Sequence, residues 1–586
     1  MIEPTMKILF KVLTIIPKNE YPKCVGLIIV MIVGAMLEAV GIGAILPLIS
    51  VIDNENFLAE HPELQVMVAD IGIEGHINFV IFISLVLILL YIMKNLYIAW
   101  EYRLQIRFST RNQICYSREL LAEYLTKPYL FHVNSNSATL IRNVNSGALV
   151  TFNMMMVAAL QLLTELVTAL TIWAMLIVVD AFTAIVVAGV LGGILLAVLG
   201  LFRRRIVNQG ITQSKSQAQY LKWVNQGLGA VKETKVMHKE KFFITEFGKA
   251  YNGYGNAQGK FVFLSQIPRT IIEATVVSGL LLLIVVKLLL GESPSTIVPL
   301  LGVLALAAFR LMPSANRIVG FVNTIKFQTP FFNEIYPEFY RIRQRIEKSE
   351  TIAMEDTAEK MPFKSELTVA DLGFHYPDGN AVLEDVSFTI PKGKFVGIVG
   401  PSGAGKTTFV DILLGLLTPS QGHIYVDGRD IQADIRGWQE NIAYVPQSIY
   451  LIDGSVKENI ALGTPLADID EARINKVLKM AELYDFVQDM TDGVNTMVGE
   501  RGVRLSGGQR QRIGIARALY QEPEVLILDE ATSALDNETE KSITETILKL
   551  KGQITIISIA HRVSTLEECD FKVKFDEGKA TILNNG

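Results

Sequence analysis

The chain has 586 residues, half of them apolar, and a formal net charge of −5. That length exceeds one ordinary domain, and a mean hydropathy of +0.34 is higher than water-solvated chains carry, so part of the chain is expected to sit in lipid. No basic footprint points to nucleic acid, and Cys24, Cys115 and Cys569 are too far apart to suggest a metal site, reading instead as unpaired thiols.

Near the N-terminus, Ile8, Leu9, Val12, Leu13 and Ile16 fall on one helical face beside Lys7 and Lys11. Two readings stay open: a short helix lying on the cytoplasmic leaflet, or a frayed tail. Six apolar runs follow, near residues 24–52, 77–100, 147–178, 181–202, 261–290 and 297–322. Each can supply the ~20 residues a bilayer span needs. The first is too long, and too closely followed by others, to read as a cleaved leader. Residues 53–76 carry Asp53, Glu55, Glu60, Glu63, Asp70 and Glu74 but no Lys or Arg, whereas 101–146 and 203–260 are rich in both. Positive loops stay in the cytoplasm, which puts the N-terminus and the C-terminal half there. The pattern divides the chain into a membrane domain over 1–330, a charged helical extension and linker over 331–360, and a soluble α/β domain over 361–586.

The soluble part carries the chemistry. An apolar strand, Phe395–Val399, runs into Gly400, Pro401, Ser402, Gly403, Ala404, Gly405, Lys406, Thr407 and Thr408, and then into a helical stretch. This is a phosphate-binding P-loop in its required strand–loop–helix setting, so these residues are candidate ATP ligands. Glycines let backbone N–H groups curl round phosphates at a helix N-terminus. Lys406 is placed for the β- and γ-phosphates, and the Thr407 hydroxyl for Mg²⁺. A second apolar strand, 525–528, ends in Asp529 and Glu530. Asp529 is the candidate Mg²⁺ holder and Glu530 the candidate base for the attacking water.

Leu505-Ser506-Gly507-Gly508-Gln509 precedes a further helix and resembles the signature of the ATP-binding cassette superfamily. The resemblance implies that Ser506, Gly507, Gly508 and Gln509 complete the ATP site of an opposite cassette. It also implies that Tyr376 stacks on adenine, and that Gln447 senses Mg²⁺ and the membrane domain. Ser533–Asp536 matches the family's D-loop, His561 its switch histidine, and Thr496–Gly502 the segment that exporters use near their coupling loops. One cassette per chain then implies two chains per working unit, by default a homodimer. The implied fold is an all-α six-helix transmembrane domain of the type IV exporter kind, followed by an α/β P-loop NTPase. Coupling helices are expected near His132–Arg142 and Trp223–Thr234.

Polar groups inside the spans are candidate substrate contacts. Glu38, Glu165 and Glu273 interrupt apolar runs, as do Arg269, Arg310 and Arg317. Arginine binds phosphate oxygens in a bidentate way; arginine–glutamate pairs between helices are the alternative use. The stretch Arg310-Leu-Met-Pro-Ser-Ala-Asn-Arg317-Ile, with Ile267-Pro-Arg269 upstream, looks like the bacterial lipid-linked oligosaccharide flippases. That resemblance implies cavity arginines attracting the pyrophosphate of a polyprenyl-linked glycan, and an external helix meeting its lipid tail, here Leu64, Val66, Met67, Val68 and Ile71. A multidrug, lipid or peptide exporter is the alternative, with an ATP-gated channel behind it. ATP and Mg²⁺ are the expected cofactors, lipid the expected partner, and the bacterial cytoplasmic membrane the expected location.

Overall fold

The computed structural model describes residues 3–44, 48, 51–52, 75–179, 181–289, 291, 294–348, 358–377, 379, 381–499, 502–530, 537–559 and 567–584. It divides into two compact units: Met1–Lys127 with Asn134–Ala353, and Pro128–Val133 with Met354–Gly586. The proposed external helix at 64–71, Ser533–Asp536 and His561 lie outside the described residues, as do Glu500 and Arg501.

The first unit is helical. Helices α1 (Glu3–Thr14), α2 (Tyr21–Gly43) and α3 (His76–Leu125) come first. After α4 (Tyr129–Val133), which belongs to the second unit, the chain continues through α5 (Ser137–Arg142) and π-helical turns at 143–147 and 149–156 into α6 (Val157–Val179). Then come α7 (Ala181–Gly229), α8 (Val231–Val236), α9 (Glu240–Leu289) and α10 (Pro294–Glu347). Among the described residues four stretches are long and apolar enough to cross a membrane: Lys18–Glu38, His76–Leu125, Ser137–Ala174 and Glu240–Leu289. The runs at 181–202 and 297–322 lie within α7 and α10. Ile81, Leu85, Leu89, Met93 and Leu96 of α3 stay exposed, as suits a face solvated by hydrocarbon rather than water.

The N-terminal stretch is a helix and not a frayed tail. Its Val12 is buried, with Ile15 and Ile16 just beyond. Lys11 Nζ donates to Asn333 Oδ1 of α10 at 3.4 Å, while Phe10 and Leu13 remain exposed. The first expected coupling helix also differs: a turn forms at Tyr129–Val133 and a second helix at Ser137–Arg142. Pro128 explains the break, because it cannot continue α3 as a donor. The second short helix, Val231–Val236, overlaps the expected stretch.

The second unit holds two sheets. Strands β1 (Glu366–His375), β2 (Ala381–Pro391), β4 (Gln421–Val426) and β5 (Arg429–Asp430) form an antiparallel sheet in the order β2-β1-β4-β5. The larger sheet runs β10-β9-β3-β8-β7-β6, where β3 is Phe395–Val399, β6 Ile442–Val445, β7 Val525–Asp529, β8 Thr555–Ile559, β9 Phe571–Asp576 and β10 Lys579–Asn584. All its pairs are parallel except β9–β10. Strands β7 and β8 are buried along almost their whole length, as the unbroken apolar run of β7 requires of a sheet covered on both faces. Such a sheet presents its ligand site at the carboxyl ends of its strands.

Candidate functional site

The P-loop leaves the carboxyl end of β3 and enters helix α11 (Lys406–Leu413). Gly403 and Gly405 have φ of +81° and +96°, a left-handed backbone open to glycine at little cost. Packing adds a second demand: a Cβ on Gly405 would meet Leu383 Cδ2 at 2.6 Å, while around Gly403 nothing lies within 4 Å. The loop is thus pinned against β2 on one side and open on the other. Lys406 is buried, its Nζ donating to Gly400 O at 2.8 Å and Pro401 O at 2.9 Å. Tyr376 contacts the same loop edge, its hydroxyl 3.5 Å from Thr408 Oγ1 and its ring edge-on to Phe374.

Two strands away, β7 delivers Asp529 and Glu530. Burial, and then the charge of Glu530, push the Asp529 carboxyl up; the Tyr444 hydroxyl and Lys406 work against that. Tyr444 Oη donates to Asp529 Oδ2 at 3.1 Å. Burial and Asp529 raise the Tyr444 phenol in turn, so it acts as a neutral donor. Glu530 sits at φ +46°, a conformation that costs a non-glycine residue about 1–3 kcal/mol. Its N–H is tied to Ile559 O of β8 at 3.0 Å, and Gln447 Nε2 donates to its Oε2 at 2.6 Å. The structure therefore brings Gln447 and Glu530 together and places Asp529 within the field of Lys406. Thr407, Gln447 and Asp529 offer the hard oxygen donors that Mg²⁺ prefers, so the residues fit the ion.

Ser506 caps helix α16 (Gly507–Tyr520), the sixth helix after α11 and α12 (Ile435–Gln439), α13 (Val456–Ile460), α14 (Glu471–Met480) and α15 (Tyr484–Gln488) are counted. Its hydroxyl accepts from Gln509 N, and Gln509 Oε1 accepts from Ser506 N at 2.8 Å. This reciprocal cap fixes the N-terminus of a long helix, where the dipole favours an anion. Among the described residues no hydrogen bond joins the signature to the chain's own P-loop.

In the membrane part, Arg317 Nε pairs with Glu165 Oε1 at 2.5 Å, the alternative use of an arginine. Arg269 and Glu273 are both exposed and do not pair with each other among the described residues. The side chain of Arg310 lies outside the described part. Sequence reading missed two cations. Lys94 of α3 is 8% exposed, its Nζ 4.8 Å from the Tyr91 ring centroid, with no carboxylate paired to it among the described residues. Lys326, beyond the apolar run 297–322 on α10, is 6% exposed; burial, and then Arg203, lower it to about 8. A lone lysine in an apolar run was the available signal for Lys94.

Residues 383–533 match the ABC transporter family. The chain is 34% identical over 397 residues to the heterocyst differentiation ATP-binding protein HepA of Nostoc, an alignment covering 67% of this chain and 63% of that protein. It is 44% identical over 223 residues to the ATP-dependent lipid A-core flippase of Saccharophagus degradans, covering 38% of each. The chain thus spans about two fifths to three fifths of the length of these relatives. A solved bacterial Atm1-family ABC exporter with ATP bound superposes with a TM-score of 0.71 at 21% identity, over 96% of this chain and 94% of that one. The chain accordingly carries an ABC-type ATPase domain and has the fold of an ABC exporter.

Proposed function

We propose that this chain, an ABC-type ATPase domain on an exporter fold, is one half of a homodimeric pump that uses ATP hydrolysis to move an amphiphilic, anionic lipid to the outer leaflet of a bacterial cytoplasmic membrane. The similarity to the lipid A-core flippase supports a lipid as cargo. The finer form of the reading is a polyprenyl-pyrophosphate-linked oligosaccharide. The observation that carries the anionic part is charge: Lys94 is a buried lysine with no carboxylate paired to it among the described residues, on a helix long and apolar enough to span a bilayer. A cation costs roughly 3 kcal/mol at mid-bilayer, and an anionic headgroup would offset that cost. Arg269, Arg310 and Arg317 would add to the same attraction.

In the cassette, Lys406 and the P-loop N–H groups would hold the phosphates, and Glu530 would orient and polarise the attacking water while Gln447 fixes its carboxylate. Mg²⁺, held by Thr407, Gln447 and Asp529, would neutralise phosphate charge. His561 would sense the γ-phosphate. An exporter of drugs or peptides is the second reading, and the Arg317–Glu165 pair favours it, since a paired arginine offers less charge to an anion.

The test is ATP-dependent translocation of a lipid-linked oligosaccharide in liposomes. Arg269→Ala with Arg310→Ala should cut the rate by tenfold or more, roughly the 1.4 kcal/mol that one lost charged contact represents, with basal ATPase retained. Unchanged flipping in the variant would remove the role given to these arginines; no ATP-dependent flipping by the wild-type protein would remove the anionic-lipid reading and leave the drug or peptide reading.

A further inference from the structure

Tyr444 belongs to none of the nucleotide motifs, yet it touches one of their acids. It lies on β6 in register with Ile527 of β7. Side chains two apart on a strand share a face, so a long side chain at Tyr444 can reach the acid two residues beyond its partner. Its hydroxyl does so, meeting Asp529 Oδ2 at 3.1 Å. Three residues on, Gln447 holds Glu530. The end of β6 thus provides one hydrogen-bond donor to each of the two adjacent acids.

The same compact unit includes Pro128–Val133, the segment that follows α3 in the chain. Leu130 packs against the core beneath the P-loop, among residues that include Phe409, Val410 and Ile527. Tyr444 therefore has the Asp529 carboxylate at its hydroxyl, within the unit that also includes the chain segment following α3.

We propose that Tyr444 is a positioning residue: its hydroxyl holds the Asp529 carboxylate in the orientation that receives Mg²⁺. This rests on reading Asp529 as the Mg²⁺ holder. A donor to a ligating carboxylate acts on metal affinity through the ligand, and loss of such a partner costs about 10–100-fold.

The experiment uses full-length protein in nanodiscs, with Mn²⁺ replacing Mg²⁺ and a non-hydrolysable ATP analogue present, read by electron paramagnetic resonance. Tyr444→Phe should weaken Mn²⁺ binding by about tenfold and leave nucleotide affinity in EDTA unchanged. Wild-type Mn²⁺ affinity in Tyr444→Phe would overturn the proposal, as would an equal loss of metal-free nucleotide binding. Asp529→Asn separates the two readings. If it binds Mn²⁺ normally, the metal assignment itself fails. If it loses Mn²⁺ while Tyr444→Phe does not, only the role of Tyr444 falls.

Discussion

At the scale of single residues, the cassette keeps acids close together at the end of its sheet. Asp411 on α11 shows what that does. Burial first, and the Asp529 charge second, push its carboxyl from 3.8 up to about 6. Between those two values the native state binds a proton that the unfolded chain releases, so stability falls as pH rises through the window. The contribution of Asp411 is fully present below 3.8 and is lost above about 6. Asp411→Asn should flatten that part of the pH profile, read as the melting temperature of nucleotide-free protein from about pH 4 to 7; an unchanged slope would refute it. The P-loop ahead of Asp411 could be read from sequence because glycines at fixed spacing between a strand and a helix make a local pattern. The strain at Glu530 and the Tyr444–Asp529 bond could not, since both depend on how β6, β7 and β8 sit side by side.

At the scale of elements, the helical unit depends on close approaches that hydropathy does not report. A Cβ on Gly210 of α7 would run into the backbone oxygen of Phe327 on α10. Ile206, Leu264 and Phe327 are buried together there, and Phe261 stacks on Phe327 at 3.9 Å. Gly210→Ala must push the two helices apart or distort one, at about 1–3 kcal/mol. Gly255→Ala on α9, where nothing lies within 4 Å, should instead stabilise by about 0.5–1 kcal/mol. Thermal unfolding of the two variants in the same detergent checks both signs. The strands at 395–399 and 525–529 were legible because β-rich apolar runs mark a doubly covered sheet. The division of labour between α4 and α5 was not, because a five-residue turn after Pro128 leaves too short a pattern. The pairing of Arg317 with Glu165, 152 positions apart by their residue numbers, is likewise a property of packing.

At the scale of the whole molecule, the capped Ser506–Gln509 turn and the P-loop of one chain are separate devices. A homodimer in which each site combines the P-loop of one copy with the signature of the other makes a sharp expectation. Lys406→Ala destroys a P-loop and Ser506→Arg destroys a signature, so each variant alone should be inactive. Mixed before reconstitution, the two should recover activity, because a hybrid dimer keeps one intact site. Hybrids form about half of a random mixture of two copies, so recovery should approach a quarter of wild type if the sites work independently. ATPase activity that stays at background after mixing would exclude this arrangement.

The second unit is assembled from two stretches of chain, with Pro128–Val133 inserted from more than 200 residues upstream of Met354. Its border is therefore not a point at which the polypeptide could be cut. A fragment starting at 354 would lack Leu130 and expose the patch of core it covers, making that patch sticky in water. Conversely, a protease nicking the chain on both sides of 128–133 would leave a six-residue peptide resting on the cassette, with Leu130 packed on its core. Modularity in this protein is spatial, and swapping cassettes between relatives would require carrying two sequence blocks as one.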